Sequence, residues 1–154
     1  MKWLILTSLL SLNAFAANNE KALLMALDDE YKARATYLQV MQDFGEVRPF
    51  VNIARSEQRH IDALKPFFQK YGLDIPENPY VGNIASYNSL KEACQAGVDA
   101  EVANVALYDQ IYALTDDQDL IAVFNRLQGA SDNKHLPAFK RCASGGRGRG
   151  RGSF

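Results

Sequence analysis

The chain has 154 residues, with 17 Lys and Arg against 18 Asp and Glu, two His, two Cys, 47% apolar residues and a formal net charge of −1. That length suits one domain with a core of its own, and the ordinary apolar and charged fractions exclude a wholly disordered chain. No apolar run reaches the ~20 residues that cross a bilayer as a helix, and the near-zero average charge argues against attachment to nucleic acid by bulk charge.

Residues 1–16 read as an export signal. Lys2 gives a positive start, residues 3–12 are mostly apolar, and Ala14-Phe15-Ala16 offers small residues at the two positions a signal peptidase reads. Cleavage before Ala17, a periplasmic or secreted location and a mature chain without a transmembrane segment are the expectations. No twin-Arg precedes the apolar stretch, which favours export unfolded with any metal acquired outside the cytoplasm.

From there the apolar spacing is helical throughout, and no segment alternates as a strand. The first helix is expected over about 20–44, with Leu23, Leu27, Leu38 and Met41 at helical spacing and Gly45 as its stop. The second opens at Pro49, carries Phe50, Ile53, Leu64, Phe67 and Tyr71, and stops at Gly72. The third starts with a capping box, Ser89-Leu-Lys-Glu92, and continues to about Leu114. Acidic residues Asp116, Asp117 and Asp119 open the fourth, which reaches about Cys142.

Short links within the first and last helix pairs predict two antiparallel hairpins. Between them lie residues 73–88, with Pro76, Pro79 and Gly82. Extended, that stretch covers ~50 Å against ~37 Å for a 25-residue helix, so it can run the length of a bundle. Two hairpins joined by one long crossover form the ferritin-like four-helix arrangement, an all-α fold. Glu30 and Tyr37 in the first helix match Glu101 and Tyr108 in the third, which resembles an internal duplication.

Charged side chains stand where apolar residues belong. The inward stripes read Ala26, Glu30, Ala33, Tyr37 in the first helix and Ile53, Glu57, His60, Leu64 in the second. They continue as Cys94, Val98, Glu101, Val105, Tyr108 in the third and Phe124, Gln128, Asp132, His135, Phe139 in the fourth. Four carboxylates facing one core are costly unless neutralised. Two divalent cations would cancel them, and Glu or Asp with His at i, i+3 places acid and imidazole on one helix face. The candidate metal ligands are therefore Glu30, Glu57, His60, Glu101, Asp132 and His135. Solvated surface pairs, or a metal-free buried network such as Glu30 with Arg34, are the alternatives.

Glu-Tyr-Lys-Ala-Arg-Ala at 30–35, Val-Arg-Pro-Phe-Val-Asn-Ile at 47–53, Glu57-Gln-Arg-His60-Ile and Lys134-His135-Leu-Pro-Ala-Phe139 resemble an exported bacterial ferritin-like group, the domain of unknown function 2202. The resemblance covers about residues 20–142. It implies a carboxylate-bridged dimetal centre, usually of iron, with Glu30, Glu57 and His60 from the first hairpin and Glu101 and His135 from the second. Two departures stand out. Asp132 replaces the usual Glu, and aligning the hairpins on their His needs one extra residue between Leu127 and His135. Such an insertion suits a π-bulge, with Gly129 and Pro137 as signs of local strain.

Cys94 lies seven residues before Glu101 and Cys142 seven after His135, so antiparallel helices carry both to the same end. In an exported protein this predicts a Cys94–Cys142 disulfide, the alternative being two separate buried thiols. Tyr37 and Tyr108, two turns beyond Glu30 and Glu101, fill the core, the alternatives being hydrogen bonds to the ligands or a part in carrying electrons. Residues 143–154 form a Gly/Arg-rich tail, flexible and able to touch an anionic surface. The body is thus expected over 17–142.

The functional expectation is an oxidoreductase with two iron ions, or manganese or another divalent metal, acting on O2 or peroxide with an unidentified electron donor. A non-catalytic metal-binding or iron-handling protein and a metal-free structural bundle are the competing classes. A homodimer is compatible with the chain. The average charge also divides. Without Lys2 and the three tail arginines, 13 positive residues face 18 negative, so the body carries −5.

Overall fold

The computed structural model describes residues 6–145, with side chains from residue 18 onward. The start of the expected signal and residues 146–154 of the tail lie outside this range. Between Met1 and Phe44 there is neither Gly nor Pro, and α1 runs without a break over Leu6–Phe44, starting earlier than the apolar spacing suggests. The remaining helices are α2 (Phe50–Tyr71), α3 (Leu90–Tyr112), α4 (Gln118–Ala130) and α5 (Leu136–Ala143). A π-helical turn, Ser131–His135, joins α4 to α5 into one bent-register fourth helix. Among the described residues there is no strand.

Local chemistry sets the ends. Gly45 and Gly72 take the left-handed conformation, φ 82° and 68°, that closes α1 and α2 without a Cβ penalty. Leu73 N–H then donates to Phe68 O at 2.9 Å, satisfying a carbonyl of the last turn of α2. Ser89 Oγ accepts from Glu92 N at 3.2 Å, whereas the Glu92 carboxylate reaches one residue further back than a capping box requires, to Asn88 N at 3.1 Å. Asp117 caps α4 by accepting from Asp119 N and Leu120 N.

The connection over residues 72–89 follows α1 lengthwise. Tyr80 OH donates to Asp28 Oδ2 at 2.9 Å near the middle of α1, and Ser86 Oγ donates to Asp43 Oδ1 at 3.1 Å near its end. Fifteen helical residues separate those acceptors, about 22 Å at 1.5 Å per residue. So α3 begins beside the end of α1 and runs parallel to α2, and α4–α5 returns parallel to α1. The α3–α4 turn closes the opposite end, where Thr115 Oγ1 donates to Asn19 Oδ1 at 2.6 Å and Tyr71 OH to Asp117 Oδ2 at 2.6 Å. The result is a four-helix bundle of two antiparallel hairpins and one long crossover.

Its interior is layered. One apolar cluster, with Leu23, Leu27, Phe68, Ile111 and Phe124, fills the end near the α3–α4 turn. A second, with Tyr37, Val40, Phe50, Cys94 and Phe139, fills the other end. Between the two lies a polar layer.

Candidate metal centre

Each helix delivers one part of that layer. Glu30 comes from α1, Glu57 and His60 from α2, Glu101 from α3 and His135 from the end of the π-helical turn, and all five are buried. The i, i+3 spacing of Glu57 and His60 brings His60 Nδ1 within 2.8 Å of Glu57 Oε2. The other Glu57 oxygen, Oε1, lies 3.1 Å from His135 Nδ1. Glu30 Oε2 stands 3.1 Å from His60 Nδ1, and Glu101 Oε2 stands 3.6 Å from His135 Nδ1. Glu57 is therefore central, with Glu30 and His60 on one side and Glu101 and His135 on the other. The two imidazoles stack at 5.7 Å. One donor atom from each of Glu57, His60 and His135 lies within 4.8 Å of the others.

Supporting contacts orient these groups. Tyr37 OH donates to Glu101 Oε1 at 2.8 Å while its ring packs in the core. Tyr108 is equally buried, but its hydroxyl has no partner among the described residues. Ser56 Oγ lies 3.3 Å from His60 Nε2, leaving Nδ1 to face the carboxylates. Cys94 and Cys142 are bonded, their Cα atoms 5.7 Å apart, which ties α3 to α5 just beyond the layer.

Asp132 does not join the cluster. It is exposed, because the π-helical turn inserts a residue and moves the inward positions of the fourth helix to Leu127, Ser131, His135 and Phe139. Buried Ser131 occupies the inward place instead. Two residues that the spacing did not single out border the layer without joining the Glu57, His60 and His135 cluster. Asp29 lies against α3, where Asn104 Nδ2 donates to Asp29 Oδ2, and Asn104 is buried. Asp29 adds a carboxylate that lines the same cavity as Glu30, Glu57 and Glu101. The run Asp28-Asp29-Glu30 and the one-turn spacing of Glu101 and Asn104 are the available signals.

The electrostatics follow from burial. Burial and then the neighbouring Glu57 carboxylate push Glu30 well above the usual range. Burial pushes Glu57 up too, but the imidazoles of His135 and His60 outweigh it and hold that carboxyl low. Burial pulls His135 down, yet the facing Glu101 and Glu57 carboxylates bring it up to about 9. Burial, against the Asn104 hydrogen bond, raises Asp29 to about 6.

The donors fit a divalent metal. Carboxylate oxygens and imidazole nitrogens from four helices converge, and His135 Nδ1 is buried without a well-formed hydrogen bond among the described residues. Fold and site together define a four-helix bundle with a buried carboxylate–histidine cluster of metal-ligand type. The chain belongs to the family described as uncharacterized protein domain (DUF2202), whose model matches residues 19–149. It is 30% identical to the uncharacterized protein MJ0754 of Methanocaldococcus jannaschii, over 81% of this chain and 75% of that one. It also matches the crystal structure of hypothetical protein MJ0754 from Methanococcus jannaschii, with a TM-score of 0.72, 26% identity and coverage of 81% of this chain and 79% of that chain.

Proposed function

We propose that this chain is an exported ferritin-like protein whose polar layer holds two iron ions and serves an oxidoreductase reaction with O2 or peroxide. The observation that supports metal binding is the convergence of Glu57, His60 and His135 donors between two apolar clusters. Glu57, which faces both imidazoles, would help to hold the metal from the centre of the layer. Glu30 with His60 and Glu101 with His135 would complete the two sides, and manganese or another divalent metal would suit the same donors.

Bound iron would supply one-electron redox chemistry. The chain's part is to hold charge and geometry. The imidazoles fix position, Tyr37 holds the Glu101 carboxylate, and the flanking clusters keep water from the ends of the site. Electrons would come from a separate donor outside the cytoplasm, and the arginine tail would contact an anionic surface.

Metal analysis of the exported protein, repeated on Glu57→Ala and His60→Ala, tests the reading. About two irons per chain, lost in both variants, is the expected result. Unchanged metal content in the variants refutes it. Peroxide or O2 turnover by the iron-loaded protein distinguishes an oxidoreductase from a protein that only holds or delivers metal.

A further inference from the structure

A cavity of about 260 Å³ lies between α1 and α3 and ends on Glu30, Glu57 and Glu101. Neither imidazole lines it, so it approaches the layer from the carboxylate side. Small side chains on the facing helices leave this space, Ala33 on α1 and Ala96, Ala100 and Ala103 on α3. Exposed Lys32, Ala100 and Ala103 belong to its outer part, and Asp29 and Asn104 border it as well.

We propose that Asp29 and Asn104 form an all-oxygen station for divalent cations in this cavity, through which a cation reaches the Glu57–His60–His135 cluster. The inference rests on the metal-binding reading above. Four carboxylates, those of Asp29, Glu30, Glu57 and Glu101, border the cavity against one lysine. Such a lining attracts cations and repels anions.

Asn104 is the independent sign. It is 5% exposed, its Nδ2 donates to Asp29, and its Oδ1 accepts no hydrogen bond among the described residues. A buried amide whose nitrogen is engaged by a carboxylate and whose oxygen has no donor among the described residues leaves that oxygen available to a cation. The donors here are oxygens only, which suits hard divalent ions, whereas the inner cluster adds nitrogen. The space is adequate. Six waters at ~30 Å³ each occupy about 180 Å³, so a cation can enter with much of its hydration shell.

The test is Co²⁺ uptake by the metal-free full chain, followed by visible absorption in a stopped-flow instrument with the end point fixed by metal analysis. Asp29→Asn and Asn104→Leu should each slow uptake about tenfold while the final content stays at the wild-type value. Ala100→Phe, which narrows the cavity without removing a polar group, should slow it as well. Asp74→Asn removes one exposed charge on the crossover and should change nothing.

Wild-type uptake with Asp29→Asn and Asn104→Leu loading at the same rate overturns the station and leaves the inner centre standing. A wild-type chain that takes up no cation overturns both. Loss of final content in Asp29→Asn makes Asp29 a ligand of the inner centre and overturns the station. If Asp29→Asn does not fold, an unchanged rate in Ala100→Phe overturns the proposed path.

Discussion

Gly97→Ala sets two well-known effects against each other. Placed in an exposed helix, the substitution stabilises by about 1 kcal/mol, because Ala loses less backbone entropy than Gly. In α3, however, a Cβ at position 97 would lie 2.6, 2.7 and 2.8 Å from Phe139 Cδ1, Cε1 and Cγ. Normal carbon contacts are ~3.5–4.0 Å, so the methyl overlaps three ring atoms by roughly 1 Å. The ring has little room to retreat, since Tyr37 and Phe50 each pack on it at 5.1 Å. The Cys94–Cys142 bond also keeps α3 and α5 together, one turn to the side of the clash.

Overpacking of this kind costs ~1–3 kcal/mol, and the lack of an escape route places it near the upper value. After the gain in helix propensity, a net loss of about 2 kcal/mol is expected, or roughly 5–8 °C in Tm. Urea unfolding followed by far-UV circular dichroism gives the number, with wild type and variant compared at equal m. Reductant should shrink the difference, because α5 can then move away. A Gly97→Ala chain as stable as wild type, or more so, refutes the close α3–α5 approach that brings His135 into the layer.

Three further outcomes follow from the same geometry. Asp132→Asn changes an exposed residue, so it should keep the metal content of wild type and alter stability by less than ~0.5 kcal/mol, and metal loss on the scale of Glu57→Ala would contradict the outward placement. Breaking the Cys94–Cys142 bond, which spans 48 positions, should lower stability by about 4 kcal/mol by urea titration with and without reductant, and a change below ~1 kcal/mol would contradict it. Asp117→Ala should cost about 1 kcal/mol near neutral pH through the lost cap of α4. Burial pushes the Asp117 carboxyl up, but Lys70, Tyr71 and Leu120 N–H outweigh it and bring it from 3.8 to about 2. A depressed carboxyl stabilises the fold fully above its unfolded value, so the gap between wild type and variant should hold above pH 3.8 and narrow as pH falls through about 2. A gap that instead widens in acid would sink that account.

What the chain reveals before folding depends on how regular the helix is. Glu57 and His60 sit three apart in an uninterrupted α-helix, and that spacing fixes them on one face. Glu30 and Glu101 are found for the same reason. Asp132 is misplaced by the same rule, because the π-helical turn gives inward positions four residues apart at Leu127, Ser131, His135 and Phe139. One residue is ~100° of rotation, enough to exchange Asp132 for Ser131. The extra residue before His135 is legible, but the side chain it turns outward is not. Asp29 and Asn104 belong to a different class. Three consecutive acids at 28–30 cannot all face inward, and only the packing of α1 on α3 shows that Asp29 meets Asn104.

The layered core explains why the acids are better read as a ligand set than as a stabilising network. Apolar clusters fill both ends of the bundle, so the fold does not need buried charge between them. Replacing buried ion pairs by apolar residues of similar volume is often neutral or stabilising by ~1–4 kcal/mol. A chain selected for stability alone would close that gap with leucine. Here it carries three glutamates and two imidazoles, leaves the Asn104 carbonyl without a donor among the described residues, and keeps a cavity lined with alanines that opens towards them. Each of these features lowers the stability of the metal-free bundle. Divalent cations would turn all three to use, neutralising the glutamates, occupying the imidazole nitrogens and entering past the free carbonyl.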